Sequence, residues 1–594
     1  MKKNVLFLVA LLLIGTSAFA QNWDEMIKAV ASDRAADDLF GFTISLDGNR
    51  AAVSSILDDG VNTNGATLID VGAVYIYELS GGTWLETARL VASDKDSIDR
   101  FGCRISLDGD RILIGAYLND RDEFGGDTLD NAGAAYIFDY IGGVWQEQAK
   151  LIASDRAIDD RFGYDVSLSG DKAAIGAFLN DTDESGNVVM SNSGAAYVFE
   201  LTGGTWTETA KLVASDRSPG NSFGLSLSMS GETIMIGSYF NATDAAGINF
   251  LTQAGSAYVF EKVGGVWTET AKLVASNRES GDRFGHNVEM DENRAIIGAY
   301  NRDEAGIGQS GSAYIFERIG GIWTETAALV ASDLSSSDNF GYSVDISGDH
   351  AIVGARFEDQ DSNNANTFSN AGSAYVFELQ GGVWAETTKI VASDRAAEDQ
   401  FGLSVVISGD MIMTGAYNDD EDATGGNTLS NSGSVYFFNT CISNPEVTHA
   451  PNNVLTAARS GASYQWIDCD NGNAIIATET NQSFTPTANG NYAVIVTIGN
   501  CTDTSLCTSV TTVSTNDVEV ETGLNVYPNP VNSELIIQFQ KPIESLNIVN
   551  LLGETVRNFS LPNKVIDVSD LPSGIYFVNI KVSDQTIVKK IIKN

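Results

Sequence analysis

Seven copies of one motif at a nearly fixed spacing constrain this 594-residue chain more than any other feature. Ser-Asp, or Ser-Asn once, recurs at Ser32, Ser93, Ser154, Ser215, Ser276, Ser332 and Ser393, in steps of 61 residues with a single step of 56. A Trp precedes each copy: Trp23, Trp84, Trp145, Trp206, Trp267, Trp323 and Trp384. Phe-Gly follows each Trp by seventeen positions, beginning at Phe40, Phe101, Phe162, Phe223, Phe284, Phe340 and Phe401. Fourteen residues further on, six copies carry Gly and the first carries Ser54. A constant period of this size marks supersecondary units that bury their apolar faces against one another.

Each unit holds four strand-like runs. In the third they are "WQEQAKLIA", "FGYDVSLS", "KAAIGAF" and "GAAYVFEL", rich in β-branched and aromatic residues and bounded by Gly, Asp and Ser. "SGD" and "TGG" supply tight turns, and no helical period competes. Four short antiparallel strands, seven times over, predict an all-β fold led by a seven-bladed β-propeller over residues 21–440. The last copy ends on "SVYFFN" with no Trp strand after it, so the strand at Trp23 is expected to complete that blade and close the ring.

Antiparallel connectivity puts the minimal "SGD" and "GG" turns on one face. The crossovers ("ASDRAIDDR") and the long second connections ("FLNDTDESGNVVMSNS") fall on the other, which makes the long-loop face the candidate binding face. The 56-residue step falls in a second connection, as surface loops allow. These loops are rich in Asn and Asp. Asn180, Asp181, Asp183 and Asn187 in one, and Asn418, Asp419, Asp420 and Asp422 in another, are candidate calcium ligands, calcium being the one cofactor the sequence suggests. The competing reading is turn chemistry. The crossover "ASDRAIDDRFG" (153–163) looks like a charged site, but its repetition at every blade favours a joint between blades.

A reaction centre should break the repeat. No Ser/His/Asp or Cys/His arrangement does so, and His286, His350 and His449 read as incidental, so no enzyme is expected. A propeller-based polysaccharide-active enzyme would need blade-specific aromatic, His or Lys residues around a central pocket, and the loops offer few. The formal charge of −43, from 78 acidic and 35 basic residues, excludes a nucleic-acid partner. A calcium-linked matrix component is the remaining alternative. Cys103 reads as a buried thiol.

The termini carry addresses. Lys2 and Lys3, a short apolar run and "TSAFA" read as a signal peptide over residues 1–20, and no later segment is long and apolar enough to span a membrane as a helix. Residues 441–513 contain Cys441, Cys469, Cys501 and Cys507, a set that suggests two disulfides with three possible pairings. Residues 514–523 read as a polar linker, and residues 524–594 as a compact β-module with alternating "ELIIQF" and "GIYFVNI".

The runs "FG…SGD…IGA…GAAYVF…GG.W" resemble the FG-GAP repeat family, whose members include the ligand-binding heads of integrin α-chains. The resemblance implies a secreted or cell-surface adhesion or binding protein with an extracellular protein or glycan partner. The Asp-x-Asp-x-Asp-Gly loop of calcium-binding family members is absent between the second and third runs, so that site does not carry over. Residues 441–513 resemble Ig-like modules of Bacteroidota surface proteins. The C-terminal stretch resembles the type A sorting domain of the type IX secretion system, on Tyr527, Pro528, Asn529, Pro530, Gly553, Leu571, Pro572, Gly574, Tyr576, Lys589 and Lys590. This implies a further β-sandwich, contact with that secretion machinery, and delivery outside the cell.

Overall fold

Every repeat contains two runs that are apolar on both faces, and these become the two middle strands of each blade. In the third blade the strand Lys172–Ala177 is buried along almost its whole length, and so is the first half of Ala195–Thr202. The last strand, Thr205–Leu212, alternates exposed with half-buried residues, as the outer edge of a blade must. A computed structural model describes residues 23–126, 128–440, 447–450, 453–458, 461–498, 501–511, 524–539, 541–551, 553–560, 564–582 and 585–594. The expected signal peptide, the linker 514–523 and Cys441 lie outside the described residues, as does the side chain of Cys501.

Seven four-stranded antiparallel sheets form the blades of a propeller. Phe-Gly opens the innermost strand, and the Trp strand is outermost. Strand Trp23–Ala29 pairs antiparallel with Ser434–Thr440, so the first residues of the ring complete the blade built by the last, as expected. This leaves no blade short of a strand and no third strand exposed as an edge.

Packing between blades explains the invariant residues. Phe162 meets Tyr197 and Phe199 edge-on, with centroids 5.5 and 6.0 Å apart, and the same Phe–Tyr pair recurs in all seven blades. The apolar cluster around Phe162 includes Leu113, Ala135 and Ile137 of the preceding blade, so the core is a set of inter-blade seams. Gly163 has φ +87°, and a Cβ there would stand 2.2 Å from the Ala134 carbonyl oxygen of that blade. Only glycine permits this approach.

After the propeller, two small sheets (447–449, 455–457 and 483–484; 463–468, 474–475, 490–498, 501–504 and 508–510) enclose Trp466, Phe484 and Tyr492. A Cys469–Cys507 disulfide staples this module. The remaining C-terminal residues form a separate compact unit. It pairs a three-stranded sheet (525–527, 534–538, 565–567) with a four-stranded one (545–549, 555–560, 574–582, 585–593) around Leu535, Ile548, Val578 and Ile591.

Candidate functional site: an axial funnel

The charged crossovers resolve into joints. Ser154 donates from its amide and hydroxyl to Glu208 of the next blade's outer strand, both at 2.8 Å. All seven Ser–Glu pairs form, the last joining Ser393 to Glu25 across the closure. The register of each outer strand shifts at this point, by a bulge beside the Glu that turns it toward the crossover. Asp155 accepts from Tyr197 at 2.6 Å and from Lys211 at 2.7 Å. Arg34, Arg156, Arg217, Arg278 and Arg395 each donate to a carbonyl in the preceding second connection. The constant residues of the crossover are thus spent on holding blade to blade.

The calcium candidates are also engaged within the protein. Asn180 accepts from Lys211 at 2.9 Å and donates to Asp160. Asp419 faces Lys28 at 2.8 Å and accepts from Tyr436. Asp181 and Asp420 each accept an amide eleven residues on, from Asn192 and Asn431. Asn418 donates to the Glu398 carbonyl. Asp183 accepts the Ser185 hydroxyl and the amides of Ser185 and Asn187, which lower its pKa to about 2. Asp422 closes the same turn onto Thr424 and Gly426. Among the described residues no group of three or more His, Cys, Asp or Glu is disposed to hold a metal ion.

The repeat is broken instead along the propeller axis. The inner strands run from the long-loop face inward, and alternate side chains face the axis in tiers. One tier holds Thr43, Arg104, Asp165, Ser226, Asn287, Ser343 and Ser404. The next holds Ser45, Ser106, Ser167, Ser228, Glu289, Asp345 and Val406. Serine is the scaffold residue here: its hydroxyl accepts an amide of the neighbouring inner strand, as Ser106 does from Leu168 and Ser167 from Met229. Asp165 and Asp345 keep that bond, to Leu227 and Ile407 at 2.7 Å each, and add charge. Arg104 lies 3.6 Å from Asp165. Burial raises the Asp165 pKa to about 6 and that of Asp345 to about 7. Burial and the two neighbouring carboxylates push Glu289 well up.

These tiers and the residues beside them line a cavity of about 170 Å³, whose wall includes Phe42, Arg104, Asp165, His286, Glu289, Tyr342, Arg356 and Tyr417. The wall comes from two columns, the residue after Phe-Gly and the residue that follows the second strand. His286 stands within ring contact of Tyr239, Tyr300 and Tyr342 (5.7, 4.5 and 4.7 Å). The Arg356 guanidinium lies 3.8 Å from the Tyr342 ring centre. Arg283 donates to the Tyr300 hydroxyl at 2.7 Å, and Arg161 lies over Tyr117 at 5.5 Å. Burial and the charges of Arg104, Arg356 and Arg283 lower the His286 pKa to about 3, so its imidazole is neutral. The residue before each Phe is left-handed, with φ between 53° and 60°, including Leu39, Arg100, Arg161 and Arg283. Side chains of this kind rarely adopt that conformation.

The sequence reading placed His286 among incidental residues and looked for aromatic groups in the loops. They come from strand ends instead. The available signal was variability in columns flanked by invariant ones: Phe42, Cys103, Tyr164, Leu225, His286, Tyr342 and Leu403 all follow Phe-Gly. Cys103 is the buried thiol of that column. It donates to the Gly163 carbonyl, and burial pushes its pKa up to about 12.

In the C-terminal unit the motif residues hold the last strand. Asn529 donates to the Lys590 carbonyl at 2.9 Å and accepts the Ile592 amide at 2.7 Å. Tyr576 donates to the Pro572 carbonyl. Gly574 pairs with Lys593, and Lys589 and Lys590 pair with Val578 and Phe577.

Comparison with protein families gives two matches. The FG-GAP repeat matches seven times, at residues 23–77, 84–138, 145–199, 206–260, 267–316, 323–377 and 384–438. A secretion system C-terminal sorting domain matches residues 525–594. No curated protein matches the chain.

Proposed function

The chain belongs to the FG-GAP repeat family and ends in a secretion system C-terminal sorting domain, and from that premise we propose that it is an exported binding protein that takes its ligand in the axial funnel. The carrying observation is where the repeat breaks. Joints, seams and turns are nearly identical in all blades, while the two funnel columns differ blade by blade. A ring of equal scaffolds with one unequal centre is suited to recognising one asymmetric ligand. Export in this reading starts with the leader over residues 1–20 and ends outside the cell. The Trp466 module then serves as an Ig-like spacer.

A second reading, a polysaccharide-active enzyme, draws support from one arrangement: a neutral His286 among tyrosines and guanidiniums. Both readings are tested by screening the purified chain against glycan and protein arrays, beside a Tyr342→Ala/Arg356→Ala variant with the wild-type melting temperature. A partner bound by the wild type and lost by the variant supports binding in the funnel. Full retention by the variant removes the funnel from the account. Shortened glycan products in the wild-type incubation would establish the enzymatic reading.

A further inference from the structure

Three arginines of the funnel are provided for differently from the lysines of the joints, although Arg104 of the funnel lies 3.6 Å from Asp165. At the joints, Lys28, Lys150, Lys211, Lys272 and Lys389 each meet a carboxylate within 3 Å. Arg161, Arg283 and Arg356 have no carboxylate partner among the described residues, in a chain with 78 acidic side chains. Each buries its Nε without a hydrogen-bond partner; one terminal nitrogen of Arg283 donates to Tyr300, and the other terminal guanidinium nitrogens are the donors left. Half-burying cationic groups without a counter-charge costs free energy unless something supplies one. Tyrosine surrounds them. Tyr117, Tyr164, Tyr239 and Tyr342 show no hydroxyl partner among the described residues, and none of these oxygens is buried. Each can donate and accept.

From this we infer that the funnel receives the end of an acidic saccharide, with its carboxylate or sulfate on the guanidiniums of Arg283 and Arg356 and its hydroxyls on the tyrosines. The inference rests on the funnel being the binding site. Three features select the class. Guanidinium forks match planar or tetrahedral anions. A wall of two-way hydroxyls matches a ligand that is itself rich in hydroxyls. The cavity of about 170 Å³, lined by Arg356 and Tyr342 beside Arg104, Asp165 and Glu289, admits a terminal unit, not a folded partner.

Titration calorimetry on the full chain tests this with four probes: tetragalacturonate, a sulfated galactose tetramer, cellotetraose and tetraglutamate. Binding of either acidic saccharide is expected. It should weaken at least tenfold in an Arg283→Gln/Arg356→Gln variant and fall steadily with added NaCl in the wild type. The two acidic probes separate carboxylate from sulfate. The salt series supports the inference even where the double variant misfolds. Failure of both acidic saccharides, or equal binding of tetraglutamate, overturns it. Cellotetraose binding that the variant loses would overturn the acidic class and keep the funnel. Acidic-saccharide binding that a folded variant retains would overturn the funnel as well.

Discussion

At the scale of single residues, two kinds of constraint meet at the start of each inner strand. Gly163 is fixed by backbone: its φ is +87° and the Ala134 carbonyl fills the space of a Cβ. Gly163→Ala should destabilise the propeller by more than about 2 kcal/mol, read as a drop in urea midpoint at unchanged slope. Arg161, two residues earlier, is the opposite case. Its φ of 58° suits glycine better than arginine, so the backbone there gains nothing from the side chain it carries. Arg161→Gly should leave stability equal or raise it by about 0.5 kcal/mol, while weakening ligand capture. A melting curve and a binding isotherm on one preparation decide this. A loss of stability would assign Arg161 to the scaffold.

At the scale of elements, the strand Trp23–Ala29 carries the ring closure. It contributes buried Trp23, Met26 and Ala29, the Glu25–Ser393 bonds, and Lys28 between Asp394 and Asp419. Removing residues 23–29 should expose Ser434–Thr440 as an edge and leave Asp419 buried without its lysine. The expected outcome is a melting temperature at least 10 °C lower, or association visible by light scattering. Most of this level was legible in advance. Alternation, Gly and Trp spacing, and the missing final Trp strand specify the strand count and the closure. The calcium reading shows what spacing leaves open. A string of Asn and Asp looks alike whether it coordinates an ion or caps its own turn, and only the hydrogen bonds of Asp183 and Asp422 display turn closure.

At the scale of the whole molecule, the crossovers impose a pH dependence. Burial raises the pKa of Asp38 and Asp160 to about 6, of Asp99 and Asp399 to about 7, and of Asp338 to about 8. A carboxyl whose folded pKa is raised binds more protons folded than unfolded, so stability falls as pH rises from about 4 through the folded values. The formal charge of −43 acts in the same direction. The propeller should therefore melt higher at pH 5 than at pH 8. A flat or opposite profile would mean that these carboxyls titrate normally.

The sequence alone determined the period, the strand count, the closure of the ring and the C-terminal sorting domain. Those follow from local alternation, turn residues and spacing, which the chain carries in one dimension. It also carried the export address, since the sorting motif is a series of short strings in order within residues 525–594. The site was decided only by tertiary structure. Arg161, His286, and the pair Tyr342 and Arg356 belong to three separate repeats, and each looks like a harmless variation in its own repeat. Closing seven blades around an axis brings equivalent columns to a common centre, so that small differences between repeats add up to one funnel.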